Sequence, residues 1–165
     1  MTNRDIAWIV VLYGAAFVAV AYFTRAKSRR IGGALAGGAV FGVVALLAVA
    51  LAEAQGLWQI PKTGSYFQLL LWVGLFISCA PVYLLTWRVA RRFGGVGLAI
   101  SVMAVVVIGP PRDYWIAATF PKWMTFSPGV APVLADAMIY ALLVIVGHGV
   151  MRVVAGSSQT DSFAR

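Results

Sequence analysis

The sequence predicts an all-α fold: a polytopic membrane bundle of about five transmembrane helices, N-terminus outside and C-terminus cytoplasmic. Composition is the first reason. Of 165 residues, 62% are hydrophobic and 11% charged, with a mean hydropathy of +0.90, whereas a soluble domain carries about 25% charged residues. Eighteen charged side chains cannot form the polar shell of a soluble protein this size. The second reason is pattern. The apolar residues form long unbroken runs, whereas a membrane β-barrel would need segments of about ten residues alternating apolar and polar. The third is the placement of the basic residues, which cluster between the runs.

Five apolar stretches follow in order, at 6–23, 31–52, 67–87, 93–108 and 130–154. Most approach the ~20 residues that a helix needs to cross a ~30 Å hydrocarbon core. The first is followed by Arg25, Lys27, Arg29 and Arg30 with no small-residue cleavage site between, so it reads as a retained anchor rather than a signal peptide. The fourth is the shortest. It opens on Gly94 and Gly95 and is expected to stop at Pro110 and Pro111, where proline removes backbone donors. Together residues 1–154 read as one transmembrane helical domain and 155–165 as a flexible cytoplasmic tail.

Orientation follows from the basic residues, which resist translocation. Four lie in 25–30, three in 88–92, and Arg152 and Arg165 follow near the end, making nine on one side. Arg4, Lys62, Arg112 and Lys122 make four on the other, diluted by Asp5, Glu53 and Asp113. The two basic connections are short, so the first and second helices, and the third and fourth, are expected to form tight antiparallel hairpins. The outer connections, 54–66 and 109–129, carry five prolines and read as a structured cap.

The second stretch contains two small-xxx-small pairs, Gly33 with Gly37 and Gly38 with Gly42. Such pairs let helix backbones approach closely in lipid. They are expected to pack against Ala15 and Ala19 of the first helix, or against a partner subunit. Five of six tryptophans, Trp8, Trp58, Trp72, Trp115 and Trp123, fall in the outer half, with Trp87 at the inner boundary, which suits interfacial aromatic belts. Pro81 is expected to kink the third helix.

Ionisable groups inside apolar helices are costly, so each is a candidate for function. Asp136 lies one to two turns into the last helix, with Tyr140 one turn further on the same face. The two are expected to line an outward-facing pocket with Arg112, Asp113, Glu53, Trp115 and Trp123. An ion pair from Arg112 or Lys122 to Asp136 is the structural alternative. His148 is too far from Asp136 to pair with it, since twelve residues of helix span about 18 Å. Between Gly147 and Gly149 it reads as an interior histidine, or as a single ligand to a flat macrocycle.

One cysteine, Cys79, excludes an intrachain disulfide or a Cys-rich metal site. No HExxH, GxSxG, P-loop, CxxC or dinucleotide fingerprint occurs. No catalytic residue, metal site or cofactor is therefore expected, and nucleic acid is not an expected partner. Ten arginines against three lysines, with abundant Ala, Gly and Val, suit a GC-rich bacterial genome and an inner-membrane location. The expected role is an accessory or assembly subunit of a larger membrane complex, or a homo-oligomer, acting through the glycine face and the outer aromatic cap. The alternative is a small transporter or lipophilic-ligand binder with its pocket at Asp136.

Overall fold

The computed structural model describes residues 3–61 and 66–157. Lys62 and Arg165, both counted above, and all of the tail beyond 157 lie outside them. In order the elements are α1 (Asn3–Thr24), α2 (Ser28–Ala54), β1 (Trp58–Gln59), α3 (Phe67–Thr119), β2 (Thr125–Phe126) and α4 (Ala131–Ala155). All four helices are long and apolar enough to cross a membrane. Their outward faces carry Leu12, Val18, Leu47, Ile100, Val107 and Leu134, all more than half exposed. The polar and charged groups Arg30, Asp136 and His148 are buried inside. A soluble fold has the reverse distribution.

The third and fourth apolar stretches lie within one element, α3, broken at Gly94 by a non-helical backbone of φ 60°, ψ −137°. Only glycine takes this conformation readily. A methyl group on Gly97 would lie 2.6 Å from the Val89 carbonyl oxygen. Residues eight apart on a continuous helix sit about 12 Å apart along its axis, so the chain doubles back at Gly94 and α3 has two limbs, 67–93 and 95–119. The second limb does not stop at Pro110 and Pro111, as expected, but continues to Thr119. Proline's fixed φ is itself helical, and neighbouring helices compensate the lost donors in a membrane bundle. About half of the second cap connection, 109–119, is thus helix.

Short turns close the helix ends. Arg25, with φ 50°, ends α1 in the left-handed conformation, and the Ala26 amide bonds the Ala21 carbonyl at 3.0 Å. Gly56, with φ 69°, ends α2 in the same way, with Leu57 N to Ala52 O at 2.9 Å. These are Schellman closures, which satisfy carbonyls left over at a helix end. Pro132 begins α4, where a missing amide costs nothing.

At one end of the bundle β1 and β2 pair antiparallel, Trp58 opposite Phe126 and Gln59 opposite Thr125. The Ser127 amide adds a bond to Leu57 O at 2.9 Å. The basic segments meet at the other end. Arg88 donates to Thr24 O at 3.3 Å, and Arg30 donates to the carbonyls of Gly156 and Ser157. The two basic connections and the end of α4 therefore share one end, and the two cap connections share the other.

Packing corrects the expected first hairpin. α1 lies chiefly against α3, whereas α2 packs on α3 and α4. The glycine face of α2 accordingly meets neither Ala15 nor Ala19. A methyl at Gly33 would lie 2.8 Å from the Ala155 Cβ, one at Gly38 2.6 Å from the Phe76 carbonyl, and one at Gly42 2.9 Å from the Trp72 indole nitrogen. Gly37 faces the carbonyl of Gly147, and Gly147 faces the Tyr83 ring. Tyr83, fully buried, sits at the centre of the core with Phe41, Leu84, Leu143 and Val144. Three tryptophans also depart from the belt reading. Trp58 and Trp87 are each 3% exposed, and Trp72 donates to Ala39 O across the α2 contact at 3.3 Å. Trp8 and Trp115 are exposed, as a belt requires.

Candidate functional site

The second limb of α3 carries Arg112, Asp113 and Tyr114 on successive positions, and α4 carries Asp136 and Tyr140 one turn apart on its buried face. Because the helix runs through Pro110 and Pro111, Arg112 projects from rigid backbone rather than from a loop. Its Nε and Nη2 reach Asp113 Oδ1 at 2.9 and 2.7 Å. Nη2 also donates to the Tyr140 hydroxyl, and Nη1 to Tyr13 Oη of α1 at 3.3 Å. Tyr140 in turn donates to Asp113 Oδ2 at 2.7 Å. Three helices are joined through one guanidinium. Gly109 makes this approach possible, since the Tyr140 ring fills the space where a Cβ would stand.

The expected ion pair from Arg112 to Asp136 is therefore replaced by one between chain neighbours, Arg112 and Asp113. Asp136 is 6% exposed, and its Oδ2 has no hydrogen-bonding partner among the described residues. It lies within electrostatic reach of Asp113 and Arg112 and of Tyr114, whose own buried hydroxyl is also unpartnered. An unmet polar group in an apolar interior costs roughly 1–3 kcal/mol, so Asp136 Oδ2 marks a place where a bound group would be stabilised.

The cap over this cluster is aromatic. The Tyr114 and Phe126 rings stack at 4.1 Å and 9°, and Trp58 meets Phe126 edge-on at 5.8 Å. Sequence reading missed Tyr13 and Tyr114 as members of the cluster. A hydroxyl in the middle of the aliphatic run of α1 was the available signal for Tyr13.

The remaining candidates stand apart. Glu53 Oε1 accepts from the Ile60 amide at 3.0 Å, bracing the turn before β1. Trp115 is 64% exposed on the outer surface of α3. Trp123 stacks on Phe120 at 4.5 Å. His148 is 3% exposed, at the basic end of α4. The room expected beside Gly147 for a flat ring is occupied by the Tyr83 phenol.

No family model, no curated protein and no solved structure matches this chain.

Proposed function

We propose that this chain is a five-crossing inner-membrane protein of bacterial type, N-terminus outside and C-terminus cytoplasmic, that takes up a proton or small cationic group at Asp136, as a small transporter or ligand-binding protein would. The observation carrying this reading is the Asp136 carboxylate, buried among helices, with one oxygen unpartnered while the neighbouring arginine is already engaged by Asp113. Carboxylates at such depth are expensive and mark proton or substrate paths. Arg112, Asp113 and Tyr140 would hold the helices around it, and the Tyr114 hydroxyl would supply a second polar contact. The cap of Trp58, Phe126 and Tyr114 lies between this cluster and the outer surface, where a ligand would enter.

Five crossings follow from counting the two limbs of α3 separately, each longer than the ~20 residues required. The nine-to-four split of basic residues supports the orientation. Testing the function requires the full chain in proteoliposomes with an internal pH dye. Wild type should move protons or a cation in response to an imposed gradient, and Asp136→Asn should abolish that movement at unchanged membrane yield. Equal flux in both would end the reading.

A second reading, an accessory or assembly subunit of a larger complex, draws support from the exposed aromatic rim of Trp115 and Phe120, which are 64% and 41% exposed. The glycine face of α2 no longer supports it, because α3 and α4 occupy that face. Co-purification of a stoichiometric partner that a Trp115→Ala, Phe120→Ala variant loses would favour it.

A further inference from the structure

At the basic end of the bundle a cavity of about 90 Å³ lies where α4 finishes beside the Gly94 break, bordered by Gly94, Gly95, His148, Arg152 and Ser157. Its volume suits a group the size of a few waters, at about 30 Å³ each, and is far too small for a macrocycle. It is remote from Asp136, since His148 lies twelve residues along α4.

Two independent features give it a sign. The second limb of α3 begins at Gly95, so the positive end of its backbone dipole faces the turn. A methyl at Gly95 would meet nothing within 4 Å, so there is room beside it. His148 is 97% buried in the same wall, being 3% exposed, and its Nδ1 has no partner among the described residues. A buried imidazole nitrogen without a partner calls for one.

Among the described residues, the charged groups that act on the imidazole are cationic. Arg152, one turn beyond His148, is exposed and has no partner among the described residues. Arg30 crosses from α2 to the carbonyls of Gly156 and Ser157, fixing the rim, and lies over the Trp87 ring at 5.5 Å. Arg30 and Arg152 are the groups within electrostatic reach of the imidazole.

We propose that this cavity is a phosphate-binding site, in which Arg152 and His148 donate to the phosphate oxygens at the start of the second limb. Guanidinium and imidazole donors beside the start of a helix match the charge and multiple acceptors of a phosphate. Basic pockets between helices at a membrane surface commonly take lipid headgroups. The same chemistry fits inorganic phosphate, and the experiment separates the two.

Full-length protein in neutral detergent would be titrated with phosphatidylglycerol, with phosphatidylcholine and with inorganic phosphate, scoring retained lipid by native mass spectrometry and stability by thermal shift. Arg152→Gln changes an exposed side chain and should fold normally. His148→Gln is the second variant, and Lys27→Gln, an exposed cation off the cavity, is the control. One retained phosphatidylglycerol, weakened about tenfold or more by Arg152→Gln and by His148→Gln but not by Lys27→Gln, establishes the site with a lipid as its source. A thermal shift with millimolar inorganic phosphate and no lipid retention, lost in the same variants, establishes it with free phosphate. Equal weakening by Lys27→Gln, unchanged binding by Arg152→Gln, or no response to either probe overturns it.

Discussion

Tyr140 donates to Asp113 Oδ2 at 2.7 Å while accepting from Arg112, so a single phenol on α4 binds both members of an ion pair carried by α3. Removing the hydroxyl alone leaves the ring in place and strands an acceptor on Asp113 and a donor on Arg112. Tyr140→Phe should therefore cost about 1–3 kcal/mol. The loss would be read as a lower melting temperature in detergent with unchanged helical circular dichroism. A variant as stable as wild type would mean that Arg112 and Asp113 hold the helices without it.

Glycine substitutions should divide sharply by position. At Gly37, Leu would drive into the Gly147 carbonyl and the Tyr83 ring, backbone and core that cannot swing away. We expect a loss of about 1–3 kcal/mol or more from overpacking. Gly32 on the same helix has nothing within 4 Å, so Gly32→Ala should leave the melting temperature within a few degrees of wild type or raise it. Similar losses at both positions would show that the close contact at Gly37 is not what sets the cost, since helix propensity alone favours both changes.

Topology can be tested through the β ribbon. Gln59 stands opposite Thr125, and side chains directly opposite share a face, with Cβ atoms about 4.5–5.5 Å apart. Gln59→Cys with Thr125→Cys should form a disulfide spontaneously in cells if the ribbon faces the oxidising periplasm, and should stay reduced if it faces the cytoplasm. Labelling of single cysteines from outside should agree, reaching position 122 and missing positions 27 and 91.

Much of this fold could be read in the sequence because its helices are long and apolar enough to cross a membrane. A run of apolar residues long enough to cross a bilayer has few alternatives to a helix: α1, α2 and α4 fall on the first, second and fifth stretches, and α3 covers the third and fourth together. What failed depended on tertiary context. Pro110 and Pro111 looked like a stop, but proline ends a helix only where the lost bonds are not compensated. The partner of α2 was not legible, because Ala15 and Ala19 offer the same small surface that α3 and α4 supply with Gly147, Ala155 and the Phe76 backbone. The site was legible in half. Asp136 and Tyr140 share a face by spacing alone, whereas the choice of Asp113 over Asp136 by Arg112 follows from the helix continuing to Thr119.

The two carboxylates of the cluster give the sharpest test, because the same substitution should act differently on each. Asp113 receives Arg112 through both Nε and Nη2, and Tyr140 as well. Asp113→Asn removes the charge that all three address. We expect a cost of about 1–2 kcal/mol, kept modest because the Arg112 side chain is 45% exposed and partly screened. Asp136 Oδ2 has no hydrogen-bonding partner among the described residues, and a neutral amide is easier to bury than a charge. Asp136→Asn should therefore melt at or above the wild-type temperature, while losing whatever proton or cation movement the reconstituted protein supports. Melting curves of the two variants recorded side by side decide the role of Asp136. If Asp136→Asn falls as far as Asp113→Asn, the carboxylate is part of the scaffold, and the transport reading would yield to the accessory-subunit one.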